Sequence, residues 1–226
     1  MQKVKERIAE ARNQAGLSQA VEIVAVTKTH PPELIVEAYQ AGMQVIGENR
    51  IQEAVAKFAQ LPPLEKLQRR MIGHLQSNKI NHALNNFDTI DSVDSQRLAG
   101  KLDRKAQTRQ IKLPVLLEVN TSGEAAKYGF HPDDISAMVD CCHLEGLAVA
   151  GLMTIGPLTR DENKMRRAFA LLRNLNDNIN RQLEADHPAL ETLSMGMSGD
   201  FPLAVAEGST MVRLGTVLFG PRRPLQ

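Results

Sequence analysis

Val21-Glu22-Ile23-Val24-Ala25-Val26-Thr27-Lys28-Thr29-His30-Pro31-Pro32 is the stretch that decides the fold. Its first six residues are short, apolar and rich in β-branched side chains, which reads as a buried strand. Pro31-Pro32 then opens a helix running to about Gln40. An open doubly wound sheet would carry a glycine-rich turn after its first strand. Here the turn is Thr27-Lys28-Thr29-His30 instead.

The same alternation continues in both directions. A helix over about 2–15, with Val4, Ile8 and Ala11 on one face, precedes the first strand. Further strands are expected at 43–47, 70–75, 87–93, 114–119, 147–155, 192–197 and 211–219. Helices are expected at about 51–60, 78–84, 95–108, 132–142, 161–185 and 201–207. Strands alternating with helices imply a parallel sheet. Eight of them, with no low-complexity linker or break in composition, fit a single closed (β/α)8 TIM barrel with an extra N-terminal helix, one domain over 1–226.

Composition excludes several classes of function. The 226 residues are 42% hydrophobic and 23% charged, ordinary for a globular protein and too apolar for disorder. Lys and Arg number 27 against 26 acidic residues, so a net charge of +1 gives no electrostatic case for nucleic acid or an anionic membrane. Aromatics make up 4%, with no Trp, too few for a base-stacking platform. The basic residues Arg97, Lys101, Arg104, Lys105 and Arg109 are spaced as a solvated helix face. Cys141 and Cys142 are adjacent and lack any CxxC spacing, which fits small buried residues on a helix. The first 17 residues are too charged for a signal peptide, and no apolar run approaches the ~18 residues of a membrane span. A cytoplasmic protein is expected. The six histidines lack metal-ligand spacing.

In a barrel, chemistry gathers where strands meet the loops that follow them. The polar residues there are Lys28, Glu48, Asn49, His74, Gln76, Asp91, Asn120, Thr154, Ser194 to Ser198, Arg213, Gly215 and Thr216. Lys28 follows Val-Ala-Val directly, where partial desolvation would favour its neutral, nucleophilic amine. Met195-Gly196-Met197-Ser198-Gly199-Asp200 and Arg213-Leu214-Gly215-Thr216 follow or lie on strands seven and eight, the recurrent phosphate cup of this fold. Glycines let backbone N–H groups approach an anion, and Ser198 and Thr216 add hydroxyl donors. A lysine nucleophile opposite a phosphate cup suits a phosphorylated aldehyde such as pyridoxal 5′-phosphate (PLP).

Six segments carry a resemblance: Ala25-Val26-Thr27-Lys28-Thr29, Gly47-Glu48-Asn49, the run IGHLQSNK at 72–79, GLMTI at 151–155, LSMGMS at 193–198 and GSTMVRLGT at 208–216. In this order, over nearly the whole chain, they resemble the pyridoxal phosphate homeostasis protein family, whose fold is similar to the N-terminal barrel of alanine racemase. The resemblance implies that Lys28 carries a Schiff base to PLP and that Asn49 lies beside the ring. It implies that Ser198, Gly215 and Thr216 bind the phosphate, with Met197 in the same pocket. Arg213 matches the position facing the pyridine nitrogen. Arg50 and the pair Arg70-Met71 stand where the family often has aromatics, a departure expected to bear on the rim of the pocket.

Three functions are compatible with these residues. One is a PLP carrier that buffers the cofactor and delivers it to apo-enzymes, without substrate turnover. A second is an amino-acid racemase, which needs a second base facing Lys28. The tyrosines available, Tyr39 and Tyr128, do not sit in a racemase-like motif, and no room for a second domain is expected after the eighth strand. The third is an aldolase-type enzyme, for which Asp91 and Glu48 are the candidate acid–base groups. The carrier is favoured, as a monomer. A guanidinium at Arg213 cannot accept a proton from the ring, and so disfavours the pyridinium form that makes PLP a strong electron sink.

Overall fold

The computed structural model describes residues 1–221; residues 222–226, the end of the expected domain, lie outside the described residues. Helix α1 (Gln2–Gln14) comes first. It is followed by β1 (Glu22–Val26), α2 (Pro32–Gln40), β2 (Val45–Glu48), α3 (Ile51–Phe58), β3 (Gln68–Met71), α4 (Ile80–Asn86) and β4 (Thr89–Val93). The second half runs α5 (Gln96–Thr108), β5 (Leu113–Glu118), α6 (Ile135–Cys142), β6 (Leu147–Met153), α7 (Glu162–Gln182), β7 (Thr192–Met197), α8 (Phe201–Ala206), β8 (Met211–Leu214) and α9 (Thr216–Phe219). Each strand pairs in parallel with the next, and β8 closes on β1 with Glu22 opposite Met211 and Ala25 opposite Leu214. The eight-stranded closed barrel expected from the alternation is the fold observed.

Alternate residues of each strand face opposite sides of the sheet, and both sides are buried. Val24 packs inside the barrel with Leu116, Met153 and Met211. Its neighbour Ala25 faces outward into the large core between sheet and helices, with Ile35, Ile46 and Leu193. Local signals set the helix ends. Pro32 starts α2, the Ser95 hydroxyl accepts from Leu98 N–H at the head of α5, and Asp161 accepts from Asn163 and Lys164 N–H at the head of α7.

The eighth helix of the ring is reduced to the four residues of α9. Its place is taken by α1, whose Val4, Ile8 and Ala11 pack on Phe201 and Val205 of α8 and on Val212 and Leu214 of β8. The Arg7 guanidinium lies 4.5 Å from the Phe201 ring centroid, adding a cation–π contact. The extra N-terminal helix therefore closes the outer layer.

Two strands depart from the sequence expectation by more than two residues at one end. The third lies at Gln68–Met71 rather than 70–75, because the strand itself is polar: Gln68 and Arg70 meet inside the barrel, and Arg70 pairs with Asp91 at 2.8 Å. The eighth stops at Leu214 rather than 219. Gly215 turns the chain, and Leu218 and Phe219 N–H donate to its carbonyl in a short helix. Cys141 and Cys142 are buried, free thiols on α6. Among the described residues no helix is long and apolar enough to cross a membrane, and no cluster of His, Cys, Asp or Glu could hold a metal.

Candidate functional site

One cavity of about 220 Å³ opens where β1, β7 and β8 end, and it gathers Lys28, Asn49, Met197, Ser198, Arg213, Gly215 and Thr216. Val26, Ile72 and Ile155 supply its apolar wall. A larger hollow of about 670 Å³ adjoins it across Ile155, Met197 and Gly199, but none of Lys28, Asn49, Arg213 or Thr216 lines that hollow. The smaller cavity is the one that gathers the candidate residues. Its volume is below the ~300–1,000 Å³ of drug-sized pockets and suits a small ligand.

Glycines bring its parts together. A Cβ on Gly73 would sit 2.3 Å from the carbonyl oxygen of Asn49, so glycine there lets the loop bearing Asn49 lie against the end of β3. Gly196 has φ 95° and would place a Cβ 2.6 Å from that of Ala204, so its absence lets α8 close onto β7. The loop between them is tied at both ends. Asp200 Oδ1 accepts from Met197 N–H at 2.6 Å, and Ser198 Oγ accepts from Gly215 and Val217 N–H, each at 3.2 Å. Two backbone N–H groups thus converge on the Ser198 hydroxyl at one end of the cavity. Burial pushes the Asp200 carboxyl above its ordinary range, while Met197 N–H and Arg213 pull it back.

Arg213 forms the buried floor. Its guanidinium donates to Ser194 carbonyl and hydroxyl oxygens at 2.8 Å each, and to Thr154 carbonyl at 2.7 Å. Burial pulls its pKa below the ordinary arginine value, and the carboxylates of Asp91, Glu118 and Asp200 oppose that shift. Three hydrogen bonds to fixed backbone and hydroxyl acceptors leave this cation little freedom to move.

Lys28 sits in a β-turn closed by His30 N–H to Thr27 carbonyl at 3.1 Å. Thr29, third in that turn, has φ 65°, a left-handed conformation usually given to Gly or Asn. For a β-branched residue this costs on the order of 1–3 kcal/mol. Under the turn lies a buried cluster. Lys57 Nζ donates to Thr27 carbonyl at 2.8 Å and to Glu48 Oε1 at 2.6 Å, and lies 3.0 Å from Glu53 Oε1. Thr27 Oγ1 donates to Glu48 Oε1 at 2.7 Å, and Thr29 N–H donates to Glu53. Burial raises the Glu48 carboxyl above its usual range despite Lys57 and Thr27. Burial acts the same way on Glu53, but Thr29 N–H and Lys57 outweigh it and hold that carboxyl low. Sequence reading missed Lys57. The available signal was a lysine on the apolar face of α3, flanked by the buried Ala54 and Phe58.

Other strand-end residues fall outside the cavity. Asp91 sits within β4, bound to Arg70 and to the Thr89 hydroxyl, rather than at the mouth. Arg70 is likewise inside the barrel and not at the pocket rim; Met71 faces the outer core, and Arg50 is exposed ahead of α3. His74 Nδ1 pairs with Asp94 Oδ2 at 2.8 Å, and its ring stacks on Tyr128 with centroids 3.7 Å apart. Tyr39 packs against the core and donates to Glu65 carbonyl. Glu118, at the end of β5, is 6% exposed, and no hydrogen bond reaches its carboxylate among the described residues. Burial pushes its pKa to about 7, against the pull of Arg213 and with the push of Asp94. Sequence reading missed this group as well.

The family model "Alanine racemase, N-terminal domain" matches residues 1–223. A pyridoxal phosphate homeostasis protein of Aquifex aeolicus is 39% identical over 225 residues, covering 99% of this chain and 97% of that one. The structure of PipY from Synechococcus elongatus with PLP bound is 42% identical, with a TM-score of 0.83 over 95% of this chain and 99% of that one. An alanine racemase of Clostridium difficile shares the fold alone: 16% identity and a TM-score of 0.74, covering 98% of this chain and 57% of that one. Similarity to the racemases stops at the barrel, whereas similarity to the homeostasis proteins extends along nearly the full length of both chains, and the chain belongs to the pyridoxal phosphate homeostasis protein family.

Proposed function

We propose that this barrel binds PLP in the Lys28 cavity, covalently through Lys28 Nζ, and serves PLP homeostasis by holding the cofactor and releasing it to apo-enzymes. The observation that carries this reading is the gathering of all seven candidate residues around one small cavity. Its donor set fits the group: an amine for an aldehyde, hydroxyls and convergent backbone N–H groups for a phosphate, an apolar wall for a ring. PLP bound there would supply an electrophilic aldehyde and a pyridine ring whose strength as an electron sink depends on protonation of its nitrogen. Relatives support the assignment, since the PipY structure contains PLP.

The residues of this chain favour holding over turnover. Arg213 has only donors to offer and is pinned beneath the cavity, so it cannot act as the carboxylate that would stabilise a protonated ring nitrogen. Ser198, Gly215 and Thr216 would orient the phosphate and Asn49 the ring face. Neither tyrosine lines the cavity to act as a base opposite Lys28, which counts against the racemase. Glu48 and Asp91 are each committed to a buried ion pair, which counts against the aldolase. In this reading the whole chain acts as one barrel unit, a cytoplasmic monomer.

Purified protein mixed with PLP should turn yellow, and hydride reduction should fix one adduct on Lys28 that Lys28→Ala abolishes. A colourless protein with no adduct at saturating PLP would refute the cofactor assignment. Robust racemisation of an amino acid would refute the carrier role. Restoration of an apo-enzyme by the loaded protein, in the presence of a trap for free PLP, tests delivery.

A further inference from the structure

The turn carrying Lys28 is held more tightly than a four-residue turn requires. The flanking residues are fastened from beneath: Thr27 by its hydroxyl and carbonyl, Thr29 by its N–H. All three fastenings end on the cluster of Lys57, Glu48 and Glu53. A left-handed threonine persists only where its surroundings over-determine it, and such strain gathers where a side chain must be aimed.

Stability alone is a poor reason for this cluster. Lys57 and Glu48 are 6% and 0% exposed, and a buried ion pair is often no better than well-packed apolar residues of the same volume. Two of the oxygens around it, Glu48 Oε2 and Thr29 Oγ1, are buried with no hydrogen-bond partner among the described residues. Unsatisfied buried oxygens cost free energy that an apolar core would avoid. We propose that Lys57, with Glu48 and Glu53, is a positioning device for Lys28: it fixes the turn so that the lysine side chain enters the cavity in one direction. The inference rests on the reading of Lys28 as the covalent ligand, and it assigns to three residues outside the cavity the aim of the residue within it.

Lys57→Met alone would strand Glu48 in the interior, so the test uses the neutral pair Lys57→Met with Glu48→Gln, and separately the milder Glu53→Ala. The first readout needs no PLP. Apo protein near neutral pH is exposed to a limiting amine-reactive reagent, and mass spectrometry follows Lys28 against the exposed Lys3 and Lys105. Release of the turn should speed relative labelling of Lys28 by about fivefold, the shift expected from losing one net hydrogen bond. The second readout is the induced circular dichroism of the visible PLP band per bound cofactor, which should fall by about half or more as the chromophore loses its fixed orientation. Lys28 labelling and dichroism at wild-type values in both variants, whatever their melting temperature, would overturn the proposal. If PLP never attaches to wild-type Lys28, the function proposed above fails, while the labelling experiment still decides whether the cluster aims the turn.

Discussion

Replacing Glu118 with Gln should make the protein markedly more stable at alkaline pH while changing it little in acid. Glu118 is buried at the end of β5, and its pKa is about 7 against an ordinary value of 4.5. A folded-state pKa above the unfolded one means that the native state binds the proton more tightly. Stability is then greatest below the unfolded value, falls as pH rises between the two, and is flat above the folded value. The full shift corresponds to about 3 kcal/mol, and the part lying between about pH 5 and about pH 8 is about 2.5 kcal/mol. Gln cannot ionise and is nearly isosteric, so the difference between Glu118→Gln and wild type should grow in favour of the variant by about that amount. In a domain of this size that equals roughly 5–10 °C of melting temperature. Urea unfolding of both proteins at the two pH values measures the difference, and shifts common to both, including those of Glu48 and Asp200, cancel if they act independently. A pH-independent difference between the two proteins would refute the claim that the native barrel holds this carboxyl neutral.

Two further outcomes follow from the packing. Gly73→Ala should displace the Asn49 loop, since its Cβ would fall 2.3 Å from that carbonyl oxygen; a loss of about 1–3 kcal/mol of stability and weaker PLP binding are expected by denaturation and titration. Burial pushes both Cys141 and Cys142 thiols up to about 12, so in the native protein neither should react with a thiol reagent near neutral pH, and both should react in denaturant.

The barrel was legible because buried parallel strands announce themselves as short apolar runs, and most of this chain obeys that rule. Arg70 is where it fails: its charge is neutralised inside the barrel by Asp91, so hydrophobicity drew the expected strand onward to Ile72 and Leu75. Val217, Leu218 and Phe219 fail for another reason, since a short apolar run does not distinguish a strand from a helical turn. The seven cavity residues could be read because strand ends of a barrel converge on one mouth. Lys57 and Glu118 were harder to read. A lysine on a helix and a glutamate at a strand end both read as solvated, and only the packing of α3 and β5 takes their charges out of water.

The substitution of α1 for a full eighth helix has a consequence for the newborn chain. Residues 2–14 leave the ribosome well before the surface they cover, on α8 and β8, is made. At ordinary elongation rates the wait is on the order of 10–40 s. Through that interval the segment is an unpartnered amphipathic peptide. Its sequence, QKVKERIAEARNQ, is suited to waiting: a narrow stripe of Val4, Ile8 and Ala11 in a charged coat offers little for another chain to grip. Docking of this helix must therefore wait for β8, and it fastens the segment before β1 to the strand that closes the barrel.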